Sequence, residues 1–268
     1  MLQRLQDIGG KKSMNRIYKA FENKKAFIGF LTAGDPVIDK TVDYILDMEE
    51  AGASLIEIGI PFSDPIAEGP TIQEANVRAL KNKVTTDDVF EMVKKVREKS
   101  DIPLCFMTYL NVVFHYDEFF KKCQEVGIDG IILPDLPYEE SQEVKDVCYN
   151  YDVTLISMIA PTSKDRVEMI AKEAKGFIYL VSSMGVTGTR DNTSFANNLE
   201  EIIEHIRQVT NTPVAIGFGI NKPEQVKEFK QYADGVIVGS AIVNIIKEHG
   251  SQADEPLKEY IQSLTNEL

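Results

Sequence analysis

The sequence contains no run of the roughly 18 to 20 apolar residues that would cross a bilayer, and its N-terminus has no signal-like apolar segment. Basic residues are in the minority, since 29 Lys and Arg stand against 42 Asp and Glu, for a formal charge of −13. Because this charge repels nucleic-acid phosphates and anionic membrane surfaces, it argues against both as partners. We therefore expect a cytoplasmic protein that acts on a small molecule or binds another protein.

Residues for metal and covalent catalysis are also scarce. The three cysteines lie in no CxxC or Cys/His spacing, which predicts buried free thiols rather than disulfide bonds or structural zinc. They are Cys105, Cys123 and Cys148. The three histidines do not form a ligand cluster, and no strand-like segment contains the lysine that a Schiff-base aldolase requires. The sequence thus favours acid–base chemistry without a metal or cofactor in this chain.

Short apolar runs alternate with amphipathic charged segments along the chain. Eight runs have the length and composition of buried strands, at 27–34, 54–61, 102–109, 129–134, 154–161, 177–183, 213–220 and 235–241. Strands that are apolar throughout are typical of a parallel sheet covered on both faces. Eight βα units predict an α/β fold, a (β/α)8 TIM barrel, as a single domain over 14–268. A doubly wound open sheet is the alternative, but residues 31–36 lack its glycine fingerprint.

Further segments extend the regular βα pattern. Residues 14–25 predict a helix that closes the bottom of the barrel, and 70–82 followed by 84–100 predict an extra helix between strands 2 and 3. Residues 1–13 are treated as an extension or a cloning remnant without a function. The polar stretch 184–198, rich in Gly, Thr and Asn, predicts a long loop that acts as a lid.

In barrels of this kind the active site lies where the carboxyl ends of the strands meet the following loops. The candidates there are four carboxylates and a tyrosine: Asp35, Glu57, Glu68, Tyr109 and Asp135. Glu57 lies in an apolar strand, so burial is expected to raise its pKa toward the range of a general acid–base. The alternative is a core residue that accepts hydrogen bonds from buried hydroxyls. Glu68 follows in a proline-rich loop and, on its chemistry alone, is expected to be a solvated carboxylate.

Glycines end the last two predicted strands, at 217–219 and 239–240. Each precedes a predicted helix, whose N-terminal backbone N–H groups can bind a phosphate without Arg or Lys. One such glycine is weak support, because turns need glycine in any case. Two on adjacent strands favour a phosphate site, and a site built from backbone groups tolerates the net negative charge.

The segment EIGIPFSDPIAEGPTIQ, residues 57–73, closely resembles the signature of the tryptophan synthase alpha chain family, E-[LI]-G-x-P-F-S-D-P-x-A-D-G-P-x-I-Q. Further matches in the family's order include FLTAGDP at 30–36 and YLVSSMGVTG at 179–188, and the resemblance extends from Met14 onward. It implies a retro-aldol lyase that cleaves indole-3-glycerol phosphate to indole and glyceraldehyde 3-phosphate. It also implies a partner, the pyridoxal-phosphate-dependent beta chain, in an α2β2 complex.

The resemblance assigns roles to particular residues. Glu57 corresponds to the catalytic acid–base, and Glu68 stands where the family has an aspartate that accepts the indole N–H. The implied substrate-binding and lid residues are Phe30, Tyr109, Tyr179, Thr187, Gly188, Gly219, Gly239 and Ser240. Asp64 and Asp135 are implied to face the beta chain. A misplacement of about 1 Å at Glu68 can cost up to about a hundredfold in rate, and we expect an active enzyme whose loop has adjusted.

A second departure from the family is Ser183, where many members have an arginine before the lid. Two alternatives to the channelling lyase stay open. One is a stand-alone indole-releasing lyase with preordered loops and no partner. The other is a weakly catalytic allosteric activator of the beta chain, for which the only support is the pair of departures at Glu68 and Ser183.

Overall fold

The structure is a computed structural model that describes residues 15–22, 24–113, 115–160, 164–181, 192–217 and 219–268, with the backbone alone at 116 and 192–198. In this part of the chain, nine parallel strands form one sheet. They are β1 Ala26–Thr32, β2 Leu55–Gly59, β3 Leu104–Met107, β4 Gly130–Ile132, β5 Thr154–Leu155, β6 Ser157–Ile159, β7 Ile178–Val181, β8 Val214–Gly217 and β9 Gly235–Val238. Each run predicted to be a strand overlaps at least one of them.

The run predicted as the fifth strand, 154–161, contains two short strands rather than one. Its first half, β5, pairs with β4, and its second half, β6, pairs with β7. Strands are staggered around a closed barrel, so a short strand meets its two neighbours over different residues. Ile156, between the halves, is buried in the barrel interior. Together with the pairing order β4-β3-β2-β1-β9-β8-β7, the two halves close a (β/α)8 TIM barrel, as predicted.

Helices cover the outside of the barrel. They are α1 Arg16–Ala20, α2 Ile38–Glu50, α3 Pro70–Lys81, α4 Thr86–Arg97, α5 Tyr116–Val126, α6 Ser141–Asn150, α7 Lys164–Glu173, α8 Asn192–Val209, α9 Pro223–Phe229, α10 Ser240–His249 and α11 Asp254–Thr265. Both α3 and α4 lie between β2 and β3, which confirms the extra helix. The predicted lid loop 184–198 is wrong over 192–198, where α8 begins. Asn, Thr and Ser are common at helix starts as well as in loops, so composition alone did not separate the two.

Alternation along each strand separates two apolar layers. On β1, Ile28 and Phe30 belong to the cluster that fills the barrel interior, whereas Leu31 belongs to the cluster between sheet and helices. From α1, Ile17 and Ala20 join the interior cluster. The N-terminal helix therefore closes the bottom of the barrel, as predicted, although it is shorter than the predicted 14–25.

The cysteines and the hydropathy of the helices come next. All three cysteines are buried free thiols, as predicted. Within the described ranges, no helix combines the length and apolarity needed to cross a bilayer. The predicted boundary after residue 13 lies outside the described residues, and the assignment of 14–268 to a single domain stays a prediction.

A buried ion-pair cluster joins α1 and α4 to the lower end of the barrel. The carboxylate of Asp129, which directly precedes β4, lies 3.0 Å from Arg16 Nε and 2.9 Å from Arg97 Nη2. It also accepts the backbone N–H of Leu104 at the start of β3, at 2.9 Å. The side chain of Asp129 is only 7% exposed, so its charge depends on these partners rather than on water.

We expect Asp129→Asn to lower the free energy of unfolding by about 3 kcal/mol, because it leaves a buried guanidinium without its counter-charge. Urea denaturation measures the effect. Asp101→Asn is the matched control, since Asp101 also faces Arg16, at 4.0 Å, but its side chain is 96% exposed. The control should match the unchanged protein, and an equal loss in both variants would contradict the role of the buried cluster.

Candidate active site

Glu57 lies in the middle of β2 with its side chain in the barrel interior. Its neighbours in register, Phe30 on β1 and Cys105 on β3, both belong to the interior cluster. Glu57 is 0% exposed, and neither carboxyl oxygen has a hydrogen-bond partner among the described residues. Burial, which penalises the charged form, raises the pKa of Glu57 to about 8. Glu57 is thus a neutral acid near pH 7, as the sequence predicts, and no hydroxyl in the described residues binds it as a core residue.

Phe30 and Tyr179, two aromatic residues implied to bind the substrate, lie in the interior around Glu57. Burial and then the nearby carboxylate of Glu57 raise the pKa of the Tyr179 phenol. The ring of Tyr179 lies against Gly217 on β8, where an added Cβ would be 2.4 Å from the ring. Phe30 lies against Gly59 on β2, where an added Cβ would be 2.8 Å from the ring. Both aromatic rings therefore occupy space that a glycine leaves open on the neighbouring strand.

Glu68, in the loop after β2, is held by Tyr109. The phenol of Tyr109 donates a hydrogen bond to Glu68 Oε2 and accepts the N–H groups of Ile66 and Ala67, each at 3.0 Å. Burial raises the pKa of Glu68 and the bond from Tyr109 lowers it, with a net rise above the usual value. The expectation of a solvated loop carboxylate is therefore wrong. Glu68 is held in place by Tyr109, which lies 41 residues away in sequence and forms hydrogen bonds with both the side chain of Glu68 and the backbone of its loop.

Helix α3 anchors the end of the same loop. Gln73, in the first turns of α3, donates from Nε2 to the backbone carbonyl of Glu68 at 2.9 Å. Arg78, farther along α3, forms a two-point ion pair with Asp35 at 2.8 and 2.7 Å, which ties α3 to the loop after β1. Asp35, considered a candidate acid–base from the sequence, is instead a buried partner of Arg78. Its charge fixes the position of α3.

The two helices predicted to bind the phosphate, α9 and α10, differ at their N-termini. Gly239 precedes α10 without a side-chain cap, so the first N–H groups of that helix, from Ser240 onward, have no intrahelical acceptor. Gly219, with φ of +77°, lies in the loop after β8. Helix α9, however, begins only at Pro223, which has no N–H group, and the two preceding N–H groups both donate to Gln225 Oε1. The N–H groups just before α9 are thus engaged by Gln225, whereas the start of α10 has no side-chain cap in the described residues.

The two residues predicted to face a partner chain differ in their surroundings. Asp64 lies exposed in the loop after β2, where Ser63 donates a hydrogen bond to it. Asp135 is half-buried and accepts the N–H of Leu110, at 3.0 and 3.2 Å for its two oxygens. The charge of Asp135 contributes to the raised pKa of Glu68, so Asp135 and Glu68 lie on the same side of the upper end of the barrel.

A cavity of about 360 Å³ opens at the upper end of the barrel, with Ala67 and Met107 among its lining residues. Another, of about 760 Å³, opens at the lower end, and none of the candidate residues lines either cavity. Thr187, Gly188 and the departure Ser183 lie outside the described residues. Within those residues, no group of three His, Cys, Asp or Glu side chains is placed to hold a metal ion.

Several features of the site were missed in the sequence. Gly59 and Gly217 lie at inward positions, and their function is to leave room for an aromatic ring from the next strand. In the sequence, each of these glycines ends a strand and lies two residues beyond an inward-facing residue. This spacing predicts an inward position for the glycine, whereas the aromatic ring beside it comes from another strand. Thr32, at the end of β1, is 1% exposed, and its hydroxyl has no partner in the described part of the chain.

Comparison with known sequences identifies relatives over nearly the whole chain. The family described as "Tryptophan synthase alpha chain" matches residues 18–267. A protein of that name from Thermoanaerobacter sp. (strain X514) is 46% identical over 264 residues, which span 95% of this chain and 100% of the relative. Another, from Lactiplantibacillus plantarum, is 47% identical over 258 residues, which span 95% of this chain and 97% of the relative.

Solved structures give the same result. The crystal structure of tryptophan synthase subunit alpha from Legionella pneumophila str. Paris superposes with a TM-score of 0.85 at 35% identity, over 95% of this chain and 98% of the other. A chain from the tryptophan synthase a2b2 complex of Pyrococcus furiosus, in a study of its mutual activation, superposes with a TM-score of 0.82 at 36% identity. That match covers 91% of this chain and 99% of the other.

The raised pKa of Glu57 makes stability depend on pH. The folded protein keeps this proton up to about pH 8, whereas the unfolded chain releases it near 4.5. The stability that the neutral carboxyl contributes is complete below the lower value and is lost as the pH rises toward the upper one, by about 1.4 kcal/mol per pH unit. We expect the unfolding free energy to fall across this range relative to Glu57→Gln, as urea denaturation at several pH values measures. A difference that stays constant with pH would contradict a neutral Glu57.

Proposed function

The chain belongs to the tryptophan synthase alpha chain family, and from this premise we propose that Glu57 and Glu68 are the two carboxylates that perform its reaction. The reaction is the cleavage of indole-3-glycerol phosphate to indole and glyceraldehyde 3-phosphate, in tryptophan biosynthesis. The alpha chain requires no cofactor, and pyridoxal phosphate belongs to the beta chain. The observation that best supports the assignment is the carboxyl of Glu57, which is fully buried, has no partner among the described residues and has a pKa of about 8.

A neutral Glu57 can serve as acid and then as base. As an acid it delivers its proton to C3 of the indole ring, which leaves the ring nitrogen with positive charge. The carboxylate that results takes the proton from the hydroxyl on the adjoining glycerol carbon while the bond between that carbon and C3 breaks. The bonding electrons return to the ring, the glycerol carbon becomes an aldehyde, and Glu57 is again protonated. A pKa near the working pH suits both transfers.

Glu68 stabilises the positive charge that forms on the ring nitrogen, by accepting the indole N–H. The phenol of Tyr109 supports this role, because a hydrogen bond to the charged form of Glu68 favours that form. The same phenol binds the loop backbone at Ile66 and Ala67, so side chain and loop have a common anchor. The longer side chain relative to the family's aspartate is thereby matched to a loop position that Tyr109 defines.

The remaining site residues divide between the two ends of the substrate. Phe30 and Tyr179 flank Glu57 in the interior and form the apolar walls that an indole ring needs. Gly239 and Ser240, at the uncapped start of α10, together with the loop at Gly219, bind the phosphate through backbone N–H groups. Thr187 and Gly188 are assigned to the lid and the phosphate from motif position alone.

We propose that this chain works in an α2β2 assembly with a beta chain. Among the homologous structures, two from Pyrococcus furiosus are of a tryptophan synthase complex, one of them described as a2b2. On this chain the loop after β2 presents Asp64 and Ile66 to solvent, and Ile66 is 77% exposed, which is unusual for a large apolar side chain. Because the same loop ends at Glu68, a partner that covers it would act directly on the position of the second carboxylate.

The cleavage assay with and without the beta chain tests the proposed roles. We expect turnover of indole-3-glycerol phosphate by the unaltered chain, faster when the beta chain is added, and no measurable turnover by Glu57→Gln in either condition, although that variant still binds substrate. Equal rates with and without the beta chain would support a stand-alone lyase. Absence of turnover by the unaltered chain in both conditions would support the activator alternative, and turnover by Glu57→Gln would refute the acid–base role.

Shortening Glu68 tests whether the loop is adapted to glutamate. We expect Glu68→Asp to lower kcat by about 10- to 100-fold, because a shift of about 1 Å takes the carboxylate from the position that Tyr109 defines. Glu68→Gln, which keeps the length and removes the charge, is the matched comparison and should lose at least as much. Steady-state kinetics measure both variants, and a higher rate in Glu68→Asp would show that the longer side chain is a compromise.

A further inference from the structure

A second buried polar group, the hydroxyl of Thr32, lies at the upper end of the barrel without a partner in the described part of the chain. Thr32 is the last residue of β1 and is 1% exposed, and its Oγ1 has no hydrogen-bond partner among the described residues. A buried hydroxyl without a partner is costly, and native structures seldom retain one without a use. Its backbone groups are engaged normally, since the carbonyl of Thr32 accepts the N–H of Asp35 at 3.3 Å. Within the described residues, the polar group of Thr32 that lacks a hydrogen bond is therefore its side-chain hydroxyl.

The register of β1 shows which way this hydroxyl faces. Ile28 and Phe30 belong to the interior cluster, whereas Leu31 and Ala33 belong to the cluster beneath the helices. By strand alternation, Thr32 faces the interior. It pairs with Gly59 on β2, which has no side chain, and lies one layer above the pair of Phe30 and the acid–base carboxyl. The hydroxyl thus faces the open end of the chamber.

The order of the strands places Thr32 between the two ends of the proposed site. β1 lies between β2, which carries Glu57, and β9, which leads into Gly239 and the free N–H groups of α10. A substrate whose reacting carbon lies at Glu57 and whose phosphate lies at α10 has to cross the end of β1. The part of indole-3-glycerol phosphate between these points is the middle carbon of the glycerol chain, which bears a hydroxyl.

We propose that Thr32 is a substrate-binding residue whose hydroxyl forms a hydrogen bond with the middle hydroxyl of the glycerol chain. The inference rests on the proposed site. It assigns to Thr32 the recognition of a hydroxylated chain, as distinct from the indole ring and the phosphate. A site built to pair a substrate hydroxyl discriminates against analogues that lack it, since one polar group is then left unpaired.

The chain contains a matched control for this residue. Thr108, directly after β3, is also 1% exposed with an unpartnered Oγ1. Met107 belongs to the interior cluster, so the next residue, Thr108, faces the opposite side of the barrel wall, toward the helices. The two threonines therefore share burial and lack of a partner in the described residues, and they differ in the face of the sheet that they occupy.

The experiment compares Thr32→Val, Thr32→Ser and Thr108→Val by steady-state kinetics on indole-3-glycerol phosphate. It also measures the binding of 3-(indol-3-yl)propyl phosphate, which has no hydroxyl on the chain. We expect Thr32→Val to lower kcat/KM about tenfold and to leave the affinity for the propyl analogue unchanged. Thr32→Ser, which keeps the hydroxyl, should stay within about twofold of the unaltered protein, and so should Thr108→Val. The urea midpoint of Thr32→Val should not fall, because no hydrogen bond within the protein is lost.

Three results would overturn the proposal: an unchanged kcat/KM in Thr32→Val, an equal loss of affinity for the propyl analogue, or a lower urea midpoint that shows a partner within the protein. Glu57→Gln, measured beside them, separates this inference from the proposed function. If Glu57→Gln is inactive while Thr32→Val is normal, only the role of Thr32 fails. If Glu57→Gln stays active, the assignment of the acid–base fails first.

Discussion

The neutral carboxyl of Glu57 depends on the closure of the barrel around it. A carboxyl keeps its proton near pH 7 only where water and counter-charges are excluded, and in the described residues neither oxygen of Glu57 has a partner. The wall that excludes them is a ring closed by the two half-strands β5 and β6. The lower end is filled by Ile17 and Ala20 of α1, and this helix is held through Arg16 and the buried Asp129. An ion pair at one end of the barrel thus supports the acid in its interior.

The two carboxylates of the site are controlled in opposite ways. Glu57 lies on a strand, where burial raises its pKa and neither carboxyl oxygen has a partner within the described residues. Glu68 lies on a loop, and the phenol of Tyr109 binds it and favours the charged form. The proposed mechanism needs this asymmetry, because in it one group transfers a proton and the other stabilises positive charge. In the proposed assembly, a partner chain that covers the loop after β2 would act on Glu68 rather than on Glu57, because loops open at lower free energy than core strands.

Much of the fold was predictable, because apolar strands buried on both faces and alternating charged helices are patterns of local sequence. The errors occurred where local sequence is ambiguous. Polar residues at 192–198 suit a helix start as well as a loop, and the break at Ile156 depends on the stagger of the whole ring. In the site, Glu57 was predictable from burial alone, since a carboxylate within an apolar strand is unusual. The state of Glu68 was not, because Tyr109 comes from a different strand end and no local pattern connects the two.

Two glycines contribute more to this site than their motifs indicate. Gly59 and Gly217 provide space for the rings of Phe30 and Tyr179, and both rings belong to the interior cluster around Glu57. An alanine at either position would place a methyl carbon within 3 Å of a ring and displace it. Each glycine therefore bears on the surroundings of Glu57 through the aromatic ring that it accommodates, Gly59 from the same strand and Gly217 from β8. The acidity of Glu57 is a property of four strands, β1, β2, β7 and β8, rather than of β2 alone.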